Sequence, residues 1–282
     1  MNNTSAAIEL AEYLAAPAPA TWTAQFREGA AAPWRGLRFL NRRPALWRYA
    51  VAPVLVNLCI TGLVLAALIA TVAGVLRFVH PWFEAEGGAY AWIWRIGEFV
   101  AAVALLIVCL GAAVVVWKVL TGVLCGYFYG VLANHVEQEL GLRPDELHDL
   151  SLRYQAIDTA YDLAALVSVH AAFFAVGLLP LLGAPLALVG DLTFTWFILG
   201  LDCLDFPLAM RGWRRHEKRR FCRKRLPYTL GLGAVVYVMQ FVPVVGSLFL
   251  TTAVVGAVLL HRRLTADVAS IGPGSSVTVS GE

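Results

Sequence analysis

The stretch RYAVAPVLVNLCITGLVLAALIATVAGVLR, residues 48–77, decides the fold, because about 28 residues pass between its two arginines without a charged side chain. Roughly 20 apolar residues in a helix cover the ~30 Å hydrocarbon core of a bilayer, so this stretch predicts a transmembrane helix, long enough to tilt. A second charge-free run, residues 99–117, predicts another, and its apolar pattern continues past Lys118 to about Leu132. That helix is expected to be longer than the membrane is thick. Between the two, His80-Pro81-Trp82-Phe83-Glu84-Ala85-Glu86-Gly87-Gly88 reads as a short loop, with Trp82, Trp92 and Trp94 suited to an interfacial belt.

Composition agrees. Of 282 residues 59% are hydrophobic and 15% charged, whereas a soluble domain carries roughly a quarter charged residues. Residues 1–33 are Ala/Pro-rich and polar, without the pattern of a signal peptide, so the first membrane helix is expected to act as its own insertion signal. Residues 1–33 and 265–282 read as flexible tails on a single helical membrane domain, residues 34–264. The net charge of +3 gives no indication of nucleic acid as a partner. Cys59, Cys109, Cys125, Cys203 and Cys222 lack metal-ligand spacing, and the first four read as small buried apolar residues. No Walker loop, dinucleotide fingerprint, H-E-x-x-H or G-x-S-x-G motif is present, so neither enzyme activity, cofactor nor metal is expected.

Residues 134–155 are polar and broken at Gly141-Leu142-Arg143-Pro144-Asp145, which predicts two short surface helices. Two apolar blocks follow, each with P-x-x-G at its centre: Pro180 with Gly183, and Pro243 with Gly246. Proline removes a backbone donor and glycine permits a tight turn, so each block predicts a helical hairpin with an apolar tip. The arms of the second, residues 228–242 and 247–260, are about 22 Å long or less, too short to cross. A re-entrant hairpin that only partly penetrates the bilayer follows, with two short spanning helices as the competing reading of each block. The fold class is thus an all-α membrane protein of two long transmembrane helices, two such hairpins and surface amphipathic helices.

Nine Lys or Arg against one Glu in residues 210–227, the arginines at 35, 38, 42, 43 and 48, and Arg262 and Arg263 place these regions in the cytoplasm by the positive-inside rule. The basic run suits anionic headgroups, or the guidance of an anion toward a pore mouth. Gly122, Gly126 and Gly130 share one helix face and are expected to serve helix packing. Asp191, in an apolar run, is expected to face the protein interior as a pathway or gating residue paired with Lys118 or Arg48, or as a structural carboxyl near the interface. His170 is expected to be satisfied by a backbone group.

Leu46-Trp47-Arg48-Tyr49-x-x-x-Pro53-x-x-x-Asn57, Leu204-Asp205-Phe206-Pro207 and the final Pro243-x-x-Gly246 stand in an order and spacing that resemble the CysZ-type sulfate permeases and the etoposide-induced membrane proteins, over residues 34–263. The resemblance implies two long transmembrane helices, two half-penetrating hairpins, cytoplasmic termini in a bacterial inner membrane, and homo-oligomers. It also implies sulfate uptake feeding cysteine synthesis, with the anion at a Gly-Leu-Arg-Arg turn before the first membrane helix. Here that turn reads Ala45-Leu46-Trp47-Arg48, and Gly36-Leu37-Arg38 lies about nine residues too early. Arg48 is the family-matched anion residue, with Arg42 and Arg43 as candidates to compensate for the missing arginine. A permease or channel for sulfate or a related oxyanion is the first expectation. A non-transporting scaffold that organises lipid is the second.

Overall fold

The computed structural model describes residues 3–83, 91–142, 152–180 and 182–270. These form α1 (Asn3–Ala15), α2 (Trp22–Asn41), a single 3-10 turn (Pro44–Leu46), α3 (Trp47–Phe83), α4 (Ala91–Glu139), α5 (Leu152–Gly177), α6 (Gly183–Ala209), α7 (Arg215–Lys224), α8 (Leu226–Met239) and α9 (Pro243–Ser270), with no strand among the described residues. The all-α membrane fold is as expected.

Among the described residues, five helices are long and apolar enough to cross a bilayer: α3, α4, α5, α6 and α9. At 37 and 49 residues, α3 and α4 run about 55 and 70 Å, well beyond the hydrocarbon core. Apolar side chains that point away from the protein along them, such as Leu63, Ile69, Ile107 and Val108, are more than half exposed. That surface is stable only in lipid. Polar contacts tie the pair together and to the core. Trp117 Nε1 donates to Thr61 Oγ1 at 3.0 Å, Cys125 Sγ reaches the Pro53 carbonyl at 3.6 Å, and Asn57 Nδ2 donates to Ser247 Oγ of α9 at 2.5 Å. Gly126 and Gly130 are buried and Gly122 half-buried, on the α4 face that carries buried Cys125 and Tyr129.

The core is built around α9. Its apolar window is 72% buried within the protein, against 11% or less in the other four spans. One side of α9 (Ala253, Ala257, Leu260, Leu264) packs with α2, α6, α7 and α8. The adjoining side (Val254, Val255, Val258, Leu259) packs with α2, α3 and α4. Helix backbones approach closely at glycines: a Cβ on Gly231 of α8 would lie 2.0 Å from the Phe26 carbonyl oxygen of α2, and one on Gly29 of α2 would lie 2.1 Å from that of Tyr228. Gly36 and Gly256 do the same between α2 and α9, and Gly200 and Gly233 between α6 and α8.

Several expectations are corrected. Residues 3–15 and 22–33, expected to belong to a flexible tail, are helical; Thr21 caps α2 by accepting from Ala24 N–H, and the boundary expected at residue 34 falls inside α2. Small residues at 29, 32 and 36 let α2 lie against the α8 and α9 backbones, which sets its order. Helix α9 extends past residue 264 to Ser270, and residues 271–282 lie outside the described set. The two short surface helices over 134–155 are replaced by the end of α4 and the start of α5, with 143–151 outside the described residues. Gly141, at φ +88°, ends α4 with Leu142 N–H donating to Glu137 O and Gly141 N–H to Gln138 O. Residues 80–83 continue α3; residues 84–90 and the side chains of Trp82, Trp92 and Trp94 lie outside the description.

The chain turns near both P-x-x-G motifs. At the first, residues 178–180 and 182 form the turn, with Pro180 exposed in it and Gly183 opening α6; at the second, the turn is residues 240–242, just before the motif, with Pro243 opening α9 and Gly246 buried in its first turn. Their apolar tips, Leu178, Leu179, Leu182, Phe241 and Val242, are at least half exposed. Of the two arms expected to be too short to cross, α8 has 14 residues, whereas α9 has 28 and is long and apolar enough to span. Arg262 and Arg263 near the end of α9 are bonded to carboxylates on other helices, which lets the helix run on past its apolar part. Among the cysteines, Cys125, Cys203 and Cys222 are buried, Cys109 is half-buried and Cys59 is exposed on the apolar flank of α3.

Candidate functional site

The ionised side chains gather at one end of the molecule, where α2 ends, α3 begins, α4 ends and α9 emerges. Glu137, in the last turn of α4, is 1% exposed and accepts from Arg211 Nη2 at 3.0 Å and Arg262 Nε at 2.7 Å. A carboxylate at a helix C-terminus opposes the helix dipole, and a buried one is tolerated only when paired. Two guanidinium groups meet both demands here. Arg211 also contacts the ring of His261, and its burial pulls its pKa below the usual guanidinium range against the opposing pull of Glu137. Gly212, at φ +72°, closes α6 as Gly141 closes α4 and thereby brings Arg211 to this position.

A second carboxylate, Glu28 of α2, holds Arg35 through two hydrogen bonds of 2.7 and 2.9 Å and Arg263 through one of 2.5 Å. Tyr13 of α1 lies against both cations, with its ring centroid 4.5 Å from the Arg35 guanidinium and 4.8 Å from that of Arg263. Burial pushes the Tyr13 phenol up to about 12, so it keeps its proton across the physiological range.

Beside this network lies a cavity of about 120 Å³, lined by Leu10 and Tyr13 of α1, Arg35, Arg38, Phe39 and Arg42 of α2, Arg43 after it, and Leu259 of α9. Four arginines line this small space, and two of them are paired with carboxylates, Arg35 with Glu28 and Arg43 with Glu139. Arg43 meets Glu139 at 3.2 Å and stands 4.1 Å from the Phe39 ring centroid. Planar guanidinium forks match the oxygens of an oxyanion two at a time.

Of the residues expected from sequence, Arg42 and Arg43 come together in this cavity, whereas Arg48 does not. Arg48 opens α3, is exposed, and folds over Tyr49, donating to its hydroxyl at 2.9 Å. Tyr49 stacks on His135 of α4 at 3.9 Å. The expected partners of Asp191 are also corrected: it pairs with His170 across the α5–α6 interface, and both side chains are about two-fifths exposed. His170 is therefore satisfied by a carboxylate and not by a backbone group. Lys118 lies half-buried on α4, outside this pair.

The sequence motifs prove to be structural joints. Pro53 and Asn57 make the α3 contacts given above, Asp205 binds Lys218 at 2.7 Å, Phe206 meets the Tyr129 ring edge-on, and Pro207 is buried inside α6. Residues 32–250 match the family model described as sulfate transporter CysZ/etoposide-induced protein 2.4. The chain belongs to this family. No curated protein matches the chain. Helix α1, the first half of α2 and residues 251–270 of α9 lie outside the span matched to the CysZ family, although α1 and α9 both contribute to the arginine-lined cavity. The participation of Tyr13 was missed in the sequence, as was the pairing of Glu137. The signal for Glu137 was available, since carboxylates in the last turn of a long apolar helix require cations nearby.

Proposed function

We propose that this chain is a membrane permease for a small oxyanion, sulfate being the first candidate, and that the anion enters at the arginine-lined cavity. The observation that carries this reading is the convergence of Arg35, Arg38, Arg42 and Arg43 on one space at the charged end of a bundle of membrane-length helices. Family membership supports the class of substrate. The positive-inside rule supports a cytoplasmic position for the charged end, hence for the cavity. The paired Asp191 and His170 suit a polar path along α5 and α6, since ionisable groups within membrane spans are costly in contact with lipid.

The test is uptake of radiolabelled sulfate into proteoliposomes against empty vesicles. The Arg42→Gln/Arg43→Gln variant is expected to lose about tenfold or more of the uptake, the effect of removing charge-assisted hydrogen bonds to an anion. Arg48→Ala is expected to lose less. Uptake no higher than in empty vesicles, under several pH gradients, would reject transport in favour of the lipid-organising scaffold, for which the exposed leucines of the hairpin tip offer a wedge into one leaflet.

A further inference from the structure

Helix α7 carries a second concentration of positive charge that the anion cavity does not use. His216, Arg219, Arg220, Arg223 and Lys224 line one shallow depression. Offsets of three, four, seven and eight residues from His216 set them along one helix face. The opposite face is fixed. Lys218, only 2% exposed, pairs with Asp205 of α6 at 2.7 Å, and Phe221 and Cys222 are part of the core. Burial pushes the Cys222 thiol up to about 12, which keeps it neutral there. At the start of the helix the Glu217 carboxylate accepts from Arg214 N–H at 2.7 Å.

The helix is also fixed in height. It follows α6 after a short turn and precedes α8 with Arg225 alone between them, so two apolar helices hold it at the membrane boundary. Trp213 packs edge-on to Phe221 on the core side of α7, with ring centroids 5.5 Å apart, and Leu226, 39% exposed, follows the basic face at the start of α8. An exposed leucine next in sequence to a row of cations suits the level where headgroups meet acyl chains.

We propose that this face of α7 binds the phosphodiester headgroup of an anionic phospholipid from the adjoining leaflet. Charge complementarity selects an anion, and the position of α7 selects one that the bilayer already presents at that height, with acyl chains free to lie along Leu226. The site is separate from the oxyanion cavity and stands whether or not the chain transports sulfate.

Native mass spectrometry of the full chain in detergent, titrated with phosphatidylglycerol and separately with phosphatidylcholine, tests it. Phosphatidylglycerol is expected to bind at lower concentration. Arg220→Gln and Arg223→Gln, each at an exposed position, are expected to weaken that binding about fivefold apiece and to leave phosphatidylcholine unchanged, with helix content unaltered by circular dichroism. Arg42→Gln, in the cavity, is expected to have no effect on it. Equal affinity for the two lipids overturns the proposal, as does a variant that folds and retains full affinity. Displacement of the lipid by an equimolar amount of inorganic phosphate would assign the face to free anions and overturn it too. If neither variant folds, the ratio of the two lipid affinities in the unaltered chain decides.

Discussion

The two hairpins share a turn signature and differ in their surroundings. In α5–α6 the apolar windows are 0% and 11% buried, whereas the returning arm of the α8–α9 hairpin is 72% buried. Glycine placement accounts for the contrast. Gly183 and Gly190 meet only atoms of their own hairpin, Val176, Leu179 and Phe173 among them. Gly231, Gly233 and Gly256 instead admit the backbones of α2 and α6, so two other helices close around the α8–α9 pair. Reversal of the chain is thus set by the local Pro and Gly, while burial is set by small residues further along the arms.

Three pairs of substitutions should break or sharpen this contrast, each read by equilibrium unfolding in mixed detergent. The largest effect is expected at Glu137, which anchors α9 through Arg262: Glu137→Ala strands two cations and should cost ~3–5 kcal/mol. Its counterpart on α5, Asp162, bonds Arg215 with both side chains over a quarter exposed, and Asp162→Ala should cost about 1 kcal/mol or less. Equal losses at the two sites would erase the distinction between the hairpins.

Next in size is Gly233→Ala, where the new Cβ would stand 1.7 Å from the Trp196 carbonyl oxygen, a backbone atom that moves only with its helix; about 3 kcal/mol is expected. Gly190→Ala meets the rim of the Phe173 ring at 2.4 Å, and a side chain can turn aside, so about 1 kcal/mol is expected. A tolerated Gly233→Ala would show that the close approach is not what buries α8. The smallest effect belongs to the polar clasp of the exposed hairpin. A double-mutant cycle of His170→Ala with Asp191→Asn should give a coupling of roughly 1 kcal/mol, and zero coupling would remove the pair as a joint between α5 and α6.

The elements governed by local chemistry were legible in the sequence. Charge-free runs yielded α3 and α4, and the two P-x-x-G turns yielded both reversals. The length of α9 was not legible, because its last residues look like a polar tail until Glu137 and Glu28 are known to stand opposite Arg262 and Arg263. Similarly, α2 reads as an unstructured Ala-rich lead until the α8 and α9 backbones are placed against Gly29 and Gly36. At the candidate site, Arg42 and Arg43 were found from their position before the first membrane helix. The contribution of Tyr13 depends on how α1 folds back, which no local pattern records. The His170–Asp191 pair was readable in principle, since the two residues lie nearly equidistant in sequence from the Pro180 turn and two antiparallel arms bring such positions level.

Contact between the start of the chain and its last hairpin has a consequence for synthesis. Phe26 and Gly29 meet residues 228 and 231, and Gly36 meets residue 252, so roughly 200 residues must be translated before α2 can find its seat. At ~5–20 residues per second that interval is on the order of 10–40 seconds. During it α2 has neither of its partners, and whatever shields its small-residue face from neighbouring chains must do so until translation is almost complete.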